Sequence, residues 1–242
     1  MEHMFQTIRS FVARNKYKLA VFGLLATASL ICLVLVGARI AVSDSGAYAS
    51  LIWNLFLAWI PFALAYAAYT LSWTRRWLYF VIPITAFLWL IFFPNAPYIL
   101  TDIIHLTQRG SMPLWYDLIT VITFAWTGTF LGLISLYLVQ TLVRQAVGKP
   151  AGWLFALMVL ALGSFGVYLG RFPRWNSWDV LVDPLSLFAD IWDRLRHPFA
   201  YHQTYTFSLV FTLFLIAVYL MLVALVQFSG AHEDRITDKE SH

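Results

Sequence analysis

The chain has 242 residues, of which 61% are hydrophobic and 12% charged, with a formal net charge of +4. Soluble domains carry roughly 25% charged residues, and a domain of this length cannot bury so much apolar surface in water, so a soluble globular fold is excluded. The basic residues are scattered at the ends of apolar runs and form no stripe with interleaved aromatics, which excludes nucleic acid as a partner.

A helical membrane span needs about 20 apolar residues. Six segments qualify: 19–37, 48–71, 77–93, 118–138, 153–169 and 206–228. Strand-period alternation is absent, and backbone groups in hydrocarbon must pair within their own segment. The chain is therefore predicted to be an all-α integral membrane protein with six transmembrane helices in a single membrane domain over 19–228. Residues 1–18 form an N-terminal arm, and residues 229–242 a polar tail expected to be unstructured. Arg9, Arg14, Lys16 and Lys18 precede a first run too long for a cleaved signal, so that run reads as a retained anchor. The single cysteine, Cys32, lies inside it and permits no intrachain disulfide.

With the N-terminus inside, the inner segments hold ten basic residues, including all four lysines, and the outer segments hold six arginines. The positive-inside bias then predicts cytoplasmic termini. It places two polar loops, 94–116 and 170–205, together on the outer side.

The first loop begins with Pro94-Asn95-Ala96-Pro97-Tyr98, which is expected to end the third span abruptly. Helical period then returns over 98–109. Ile99, Leu100, Ile103 and Ile104 make one face, with Thr101, Asp102, His105 and Arg109 opposite, which predicts a short interfacial helix. Trp115-Tyr116-Asp117 opens the fourth span, and Asp117, Thr120, Thr123 and Thr127 share one arc of it. That arc is either a polar stripe facing a bundle cavity or a carboxylate at a helix N-terminus above back-bonded threonines.

The second loop opens with Gly170-Arg171-Phe172-Pro173-Arg174-Trp175-Asn176-Ser177-Trp178-Asp179, the densest polar segment. Its arginines suit phosphate or carboxylate, and Trp175 and Trp178 suit a headgroup or a sugar face. Equally, Arg171 and Arg174 can pair with Asp102, Asp117 or Asp179 and pin the two loops together. Asp183-Pro184 then predicts an N-cap with proline at the first helical position. The following helix carries an apolar stripe, Leu185, Phe188, Ile191, Trp192 and Leu195, with Asp190, Asp193, Arg194 and Arg196 on the other face.

Pro94-Asn95-Ala96-Pro97-Tyr98 with Thr101-Asp102 and His105-Leu106, then Trp115-Tyr116-Asp117, then Gly170-Arg171-Phe172 with Arg174 to Asp179, resemble the signature of an uncharacterised group of bacterial membrane proteins. That group is catalogued as domain of unknown function 1361. The resemblance runs roughly from the second span to the sixth. It implies a multi-pass protein of the bacterial cytoplasmic membrane, and it brings no established activity, substrate or cofactor.

Three functions follow from the residues. In the first, an outward-facing site built on Asn95, Tyr98, Asp102, His105, Trp115, Asp117, Arg171, Arg174, Trp175, Asn176, Trp178 and Asp179 binds or helps move an anionic envelope lipid, a lipid-linked saccharide or a similar solute. In the second, the protein is a membrane-embedded hydrolase or transferase. Asp102, His105 or Asp117 would then act as general base, or Asp102, His105, His197 and His202 would hold Zn²⁺ or another divalent metal. In the third, it is a structural subunit of an envelope complex.

Overall fold

The computed structural model describes residues 2–43, 46–71, 81–106 and 112–240, with side chains for 20–43, 46–70, 84–104, 106 and 112–228. Among the described residues every regular element is helical: α1 (Glu2–Ser43), α2 (Ser50–Leu71), α3 (Val81–Phe92), α4 (Asn95–Tyr98), a 3-10 helix (Ile99–His105), α5 (Leu114–Val147), α6 (Lys149–Arg171), α7 (Asp179–Val182), α8 (Pro184–Arg196) and α9 (His202–Glu240). Six helical stretches are long and apolar enough to cross a membrane: Ala20–Ser43, Ser50–Thr70, Ile84–Ile104, Leu114–Val147, Lys149–Arg171 and His202–Phe228. They correspond to the six runs read from the sequence, mostly with longer ends, because a helix continues into its polar flanks until a cap or turn stops it. The start expected at Trp77 lies outside the described residues. The last helix continues to Glu240, where an unstructured tail was expected. Ala231, Glu233, Arg235, Lys239 and Glu240 are helix formers that extend a helix already nucleated in the span.

α5 is the hub of the bundle. It packs against α1, α2, α4, the 3-10 helix, α6 and α9, while α3 lies against α2, and α9 against α6. In the most apolar part of α5, 61% of the residues are buried, against 17% in α1 and in α9. The outer helices instead present Leu24, Leu30, Leu209 and Leu213 outward, the arrangement that a hydrocarbon solvent stabilises.

The third span does not end where the prolines predict. Pro94 is helical (φ −60°, ψ −26°), and winding continues through α4 into the 3-10 helix. The prolines are accommodated because α4 is a single turn, in which their missing N–H groups have few intrahelical partners to lose. This turn lies inside the bundle, in a slot cut by glycines of its two neighbours. A Cβ on Gly132 would come within 2.8 Å of Ala96 Cβ, and one on Gly128 within 2.8 Å of the Ala96 carbonyl oxygen. On α6, a Cβ on Gly163 would meet the Phe93 ring at 2.7 Å, and one on Gly166 would meet Pro94 at 2.6 Å. Small residues spaced this way let backbones approach closely within a membrane. Gly163 is eight residues before Arg171, so the slot reaches about 12 Å below the end of α6 at 1.5 Å per residue.

The interfacial helix expected over 98–109 is therefore corrected over 98–106, and residues 107–109 lie outside the described residues. Ile99 and Thr101 are buried, whereas Ile103 and Ile104 are exposed on the flank. Thr101 of the expected polar face and Ile99 of the expected apolar face both turn inward, while Ile103 and Ile104 turn outward.

Candidate functional site

Two arginine–aspartate pairs between separate elements stand at the end of the bundle where α1 ends and α2 begins. Arg39, near the end of α1, donates from Nε to Asp117 Oδ1 at 2.6 Å and from Nη2 to Oδ2 at 3.2 Å. Both side chains are fully buried. The Tyr48 ring lies 4.9 Å from the guanidinium, and the Tyr116 hydroxyl donates to the Leu35 carbonyl at 2.8 Å, so α1 is held along its last turns. The polar arc of α5 thus faces the bundle at Asp117, Thr120 and Thr127, while Thr123 is half-buried and bonds back to Ile119.

The second pair joins the two loops. Arg171, the last residue of α6, binds Asp102 through Nη2 and donates from Nε to Thr101 Oγ1 at 2.7 Å. Its guanidinium lies over the Tyr98 ring, 4.4 Å from the centroid. Asp102 also accepts from Asn54 Nδ2 of α2 at 2.9 Å. One carboxylate therefore ties three elements, the 3-10 helix, α2 and α6, and charge-assisted bonds of this kind are the strong ones.

Beyond Arg171 the chain reverses. The Trp175 N–H donates to the Leu169 carbonyl at 3.0 Å, and Arg174 takes a left-handed backbone (φ 69°) in the turn. Non-glycine residues reach that region at a cost of about 1 kcal/mol, held here by the bonds on either side. Ser177 Oγ donates to the Ile91 carbonyl at 2.9 Å and accepts from Asn95 Nδ2 at 2.7 Å. Asp179 accepts from the Asn176 N–H at 2.6 Å and closes a local turn. Trp175 Nε1 donates to Asp190 Oδ2 at 2.8 Å, and Asp190 pairs with Arg194 at 2.9 Å. Arg194 also donates to Thr204 of α9. The expected polar face of α8 is thus corrected at Arg194, which is buried. The apolar stripe is mostly turned outward: Leu185, Phe188, Trp192 and Leu195 are all exposed, and Ile191 is half-buried. The expected cap holds, with Asp183 accepting from the Ser186 N–H.

These elements enclose a half-open cavity of about 330 Å³ between α2, α3, α6 and α8. Its polar lining is Asn54, Asn95, Tyr98, Asn176 and Ser177, with Trp53, Trp175 and Trp178. Leu57, Leu90, Leu162, Leu169 and Leu187 form apolar wall. Ligand cavities run from about 300 to 1,000 Å³, so this one has room for a headgroup and not for a whole lipid.

Of the candidate residues, Asn95, Tyr98, Trp175, Asn176 and Trp178 line the cavity, and Asp102 and Arg171 form the pair behind Asn54 and Tyr98. Asp117 is held apart by Arg39, Trp115 is exposed against Tyr116, and Asp179 serves the turn. Arg174 is exposed beside the turn. The side chain of His105 lies outside the described residues. His197 bonds Asp193 at 2.9 Å, and His202 lines a separate open groove on α9. Among the described residues no three of His, Cys, Asp and Glu come together as metal ligands would. The sequence reading missed Asn54 and Arg39, and also the glycines of the slot. A lone amide inside a span and an arginine at a span end are the available signals.

Six apolar helices around a motif-lined cavity at one end of the bundle define a multi-pass membrane protein. A family model matches residues 53–218, and the chain belongs to that family, described as Protein of unknown function (DUF1361). No curated protein and no solved structure matches the chain.

Proposed function

We propose that the protein binds an amphiphilic lipid or lipid-linked saccharide, with the headgroup in the cavity between α2, α3, α6 and α8 and the chains in the bilayer. The observation that carries this reading is that residues from both sequence motifs line one small cavity whose remaining wall is apolar. Trp53 and Leu162 are more than half exposed on its flank, which suits an exit for acyl chains between α2 and α6. We place the site at the outer leaflet of a bacterial cytoplasmic membrane with both termini cytoplasmic, on the distribution of lysine and arginine.

Direct anion binding by Arg171, one of the roles open in the sequence, is not favoured. Its guanidinium already holds Asp102 and Thr101. A general-base role for Asp102 or Asp117 is not favoured either, since each carboxylate is engaged by an arginine. Native mass spectrometry of protein released from nanodiscs tests lipid binding. Wild type should retain lipid, and Leu162→Trp, which fills the cavity from a lipid-exposed position, should lose it. Equal retention by both would overturn the reading. In a Cys32→Ser background, Asn176→Cys should react with impermeant maleimide added outside; labelling only from the cytoplasmic face would reverse the orientation.

A further inference from the structure

The chemistry of the headgroup can be read from which halves of the cavity amides are already occupied. Asn54 and Asn95 both line the cavity. Asn54 Nδ2 donates to Asp102, and a carboxylate bound by arginine only accepts, so the orientation of this amide is forced. Asn95 Nδ2 donates to the Phe92 carbonyl at 3.0 Å and to Ser177 Oγ at 2.7 Å; the carbonyl likewise forces the orientation. Ser177 in turn gives its own proton to the Ile91 carbonyl. The N–H₂ groups of both amides are thus taken up inside the protein. Their carbonyl oxygens have no bonded partner among the described residues, and neither oxygen is sealed from solvent.

A cavity whose free amide groups accept selects a ligand that donates. Phosphate and carboxylate oxygens only accept, so they make no bond to the two carbonyl oxygens and would leave both of these desolvated without partners. A cationic headgroup would donate, but among the described residues no unneutralised carboxylate lines the cavity: Asp102 is paired with Arg171, and Asp190 with Arg194. Trp175 and Trp178 line the same cavity and supply aromatic surface of the kind that suits a sugar ring, while one face of the Tyr98 ring is taken by Arg171. Resting on the lipid-binding reading above, we infer that the headgroup is uncharged and hydroxyl-bearing, a sugar or polyol on a lipid. Its hydroxyls donate to the Asn54 and Asn95 carbonyl oxygens, and the Tyr98 hydroxyl completes the contact.

The full chain in nanodiscs doped equally with three dioleoyl lipids tests this: monoglucosyl-diacylglycerol, phosphatidic acid and phosphatidylethanolamine, counted per protein by native mass spectrometry. The expected result is a preference of about tenfold for the glucolipid over each of the others, as two acceptor–donor pairs would give, abolished in Leu162→Trp. If phosphatidic acid or phosphatidylethanolamine is retained preferentially and lost in Leu162→Trp, the cavity binds lipid but the headgroup inference is wrong. If Leu162→Trp changes nothing, lipid binding in the cavity fails, and the headgroup inference falls with it.

Discussion

The two arginine–aspartate pairs that join separate helices, Arg39–Asp117 and Arg171–Asp102, use the same chemistry for different ends. Arg39–Asp117 joins the first helix to the hub and is sealed, with neither side chain exposed. Arg171–Asp102 keeps 9% and 14% of its side chains exposed and lies behind a cavity, with its last acceptor oxygen given to Asn54. A buried ion pair is weak evidence for net stability, since desolvation opposes the attraction, but removing one partner is costly. The sealed pair therefore reads as a lock between helices. The open pair reads as a wall, one that fixes Asn54 and Tyr98 where the proposed ligand would meet them.

Breaking the lock should have the largest effect. Arg39→Ala leaves the Asp117 carboxylate buried without a countercharge and should cost about 3–5 kcal/mol, seen as loss of folded protein in detergent. Arg39→Met with Asp117→Leu should recover most of that loss. If the single variant unfolds no more readily than wild type, the pair is no lock. Next comes the slot that holds the first motif. Gly132→Leu drives side-chain atoms into Ala96 and should cost about 3 kcal/mol, with lipid retention falling as the motif shifts.

Arg171→Met opens the wall and should cost about 2 kcal/mol, less than Arg39→Ala because water reaches Asp102. Unlike Arg39→Met with Asp117→Leu, it should also weaken lipid retention. Equal retention in both would remove the distinction between lock and wall. Trp175→Phe loses one bond to Asp190 and should cost about 1 kcal/mol, read as faster hydrogen exchange in α8. The smallest effect lies away from both pairs. The Tyr201 hydroxyl bonded to Asp193 holds that carboxyl below its ordinary value, and His197 adds to it. This contribution is present above the ordinary carboxylate range and is lost as pH falls through the lowered value. Tyr201→Phe should move the Asp193 titration, followed by carboxyl NMR, back towards the ordinary value with little change in stability, since Asp193 is half exposed.

Much of the architecture was legible in the chain because hydropathy is a local property. Whether twenty residues prefer hydrocarbon depends on those residues alone, so six spans could be counted without knowing their neighbours. Short-range devices were equally readable: Asp183 capping α8, and Asp190 paired with Arg194 one turn on. Misreadings came where a residue's role depends on what faces it. Proline was read as a terminator at Pro94, but the glycines of α5 and α6 give its turn a place inside the bundle. Amphipathic period over 98–109 shows two faces without saying what each residue meets, and the apolar face is split, with Ile99 packed inward and Ile103 and Ile104 turned outward.

By itself the sequence determined the class of protein, the span count and the segments that carry polar chemistry, since these follow from residue type and spacing. Only the tertiary structure decided that Asp117 belongs to Arg39 and Asp102 to Arg171. The choice of partner depends on helix rotation and depth, set by side chains and glycines far apart in the chain. The same packing decided that Asn54, silent in the sequence, stands beside Asn95 and Tyr98 at one cavity, with its carbonyl oxygen left to accept.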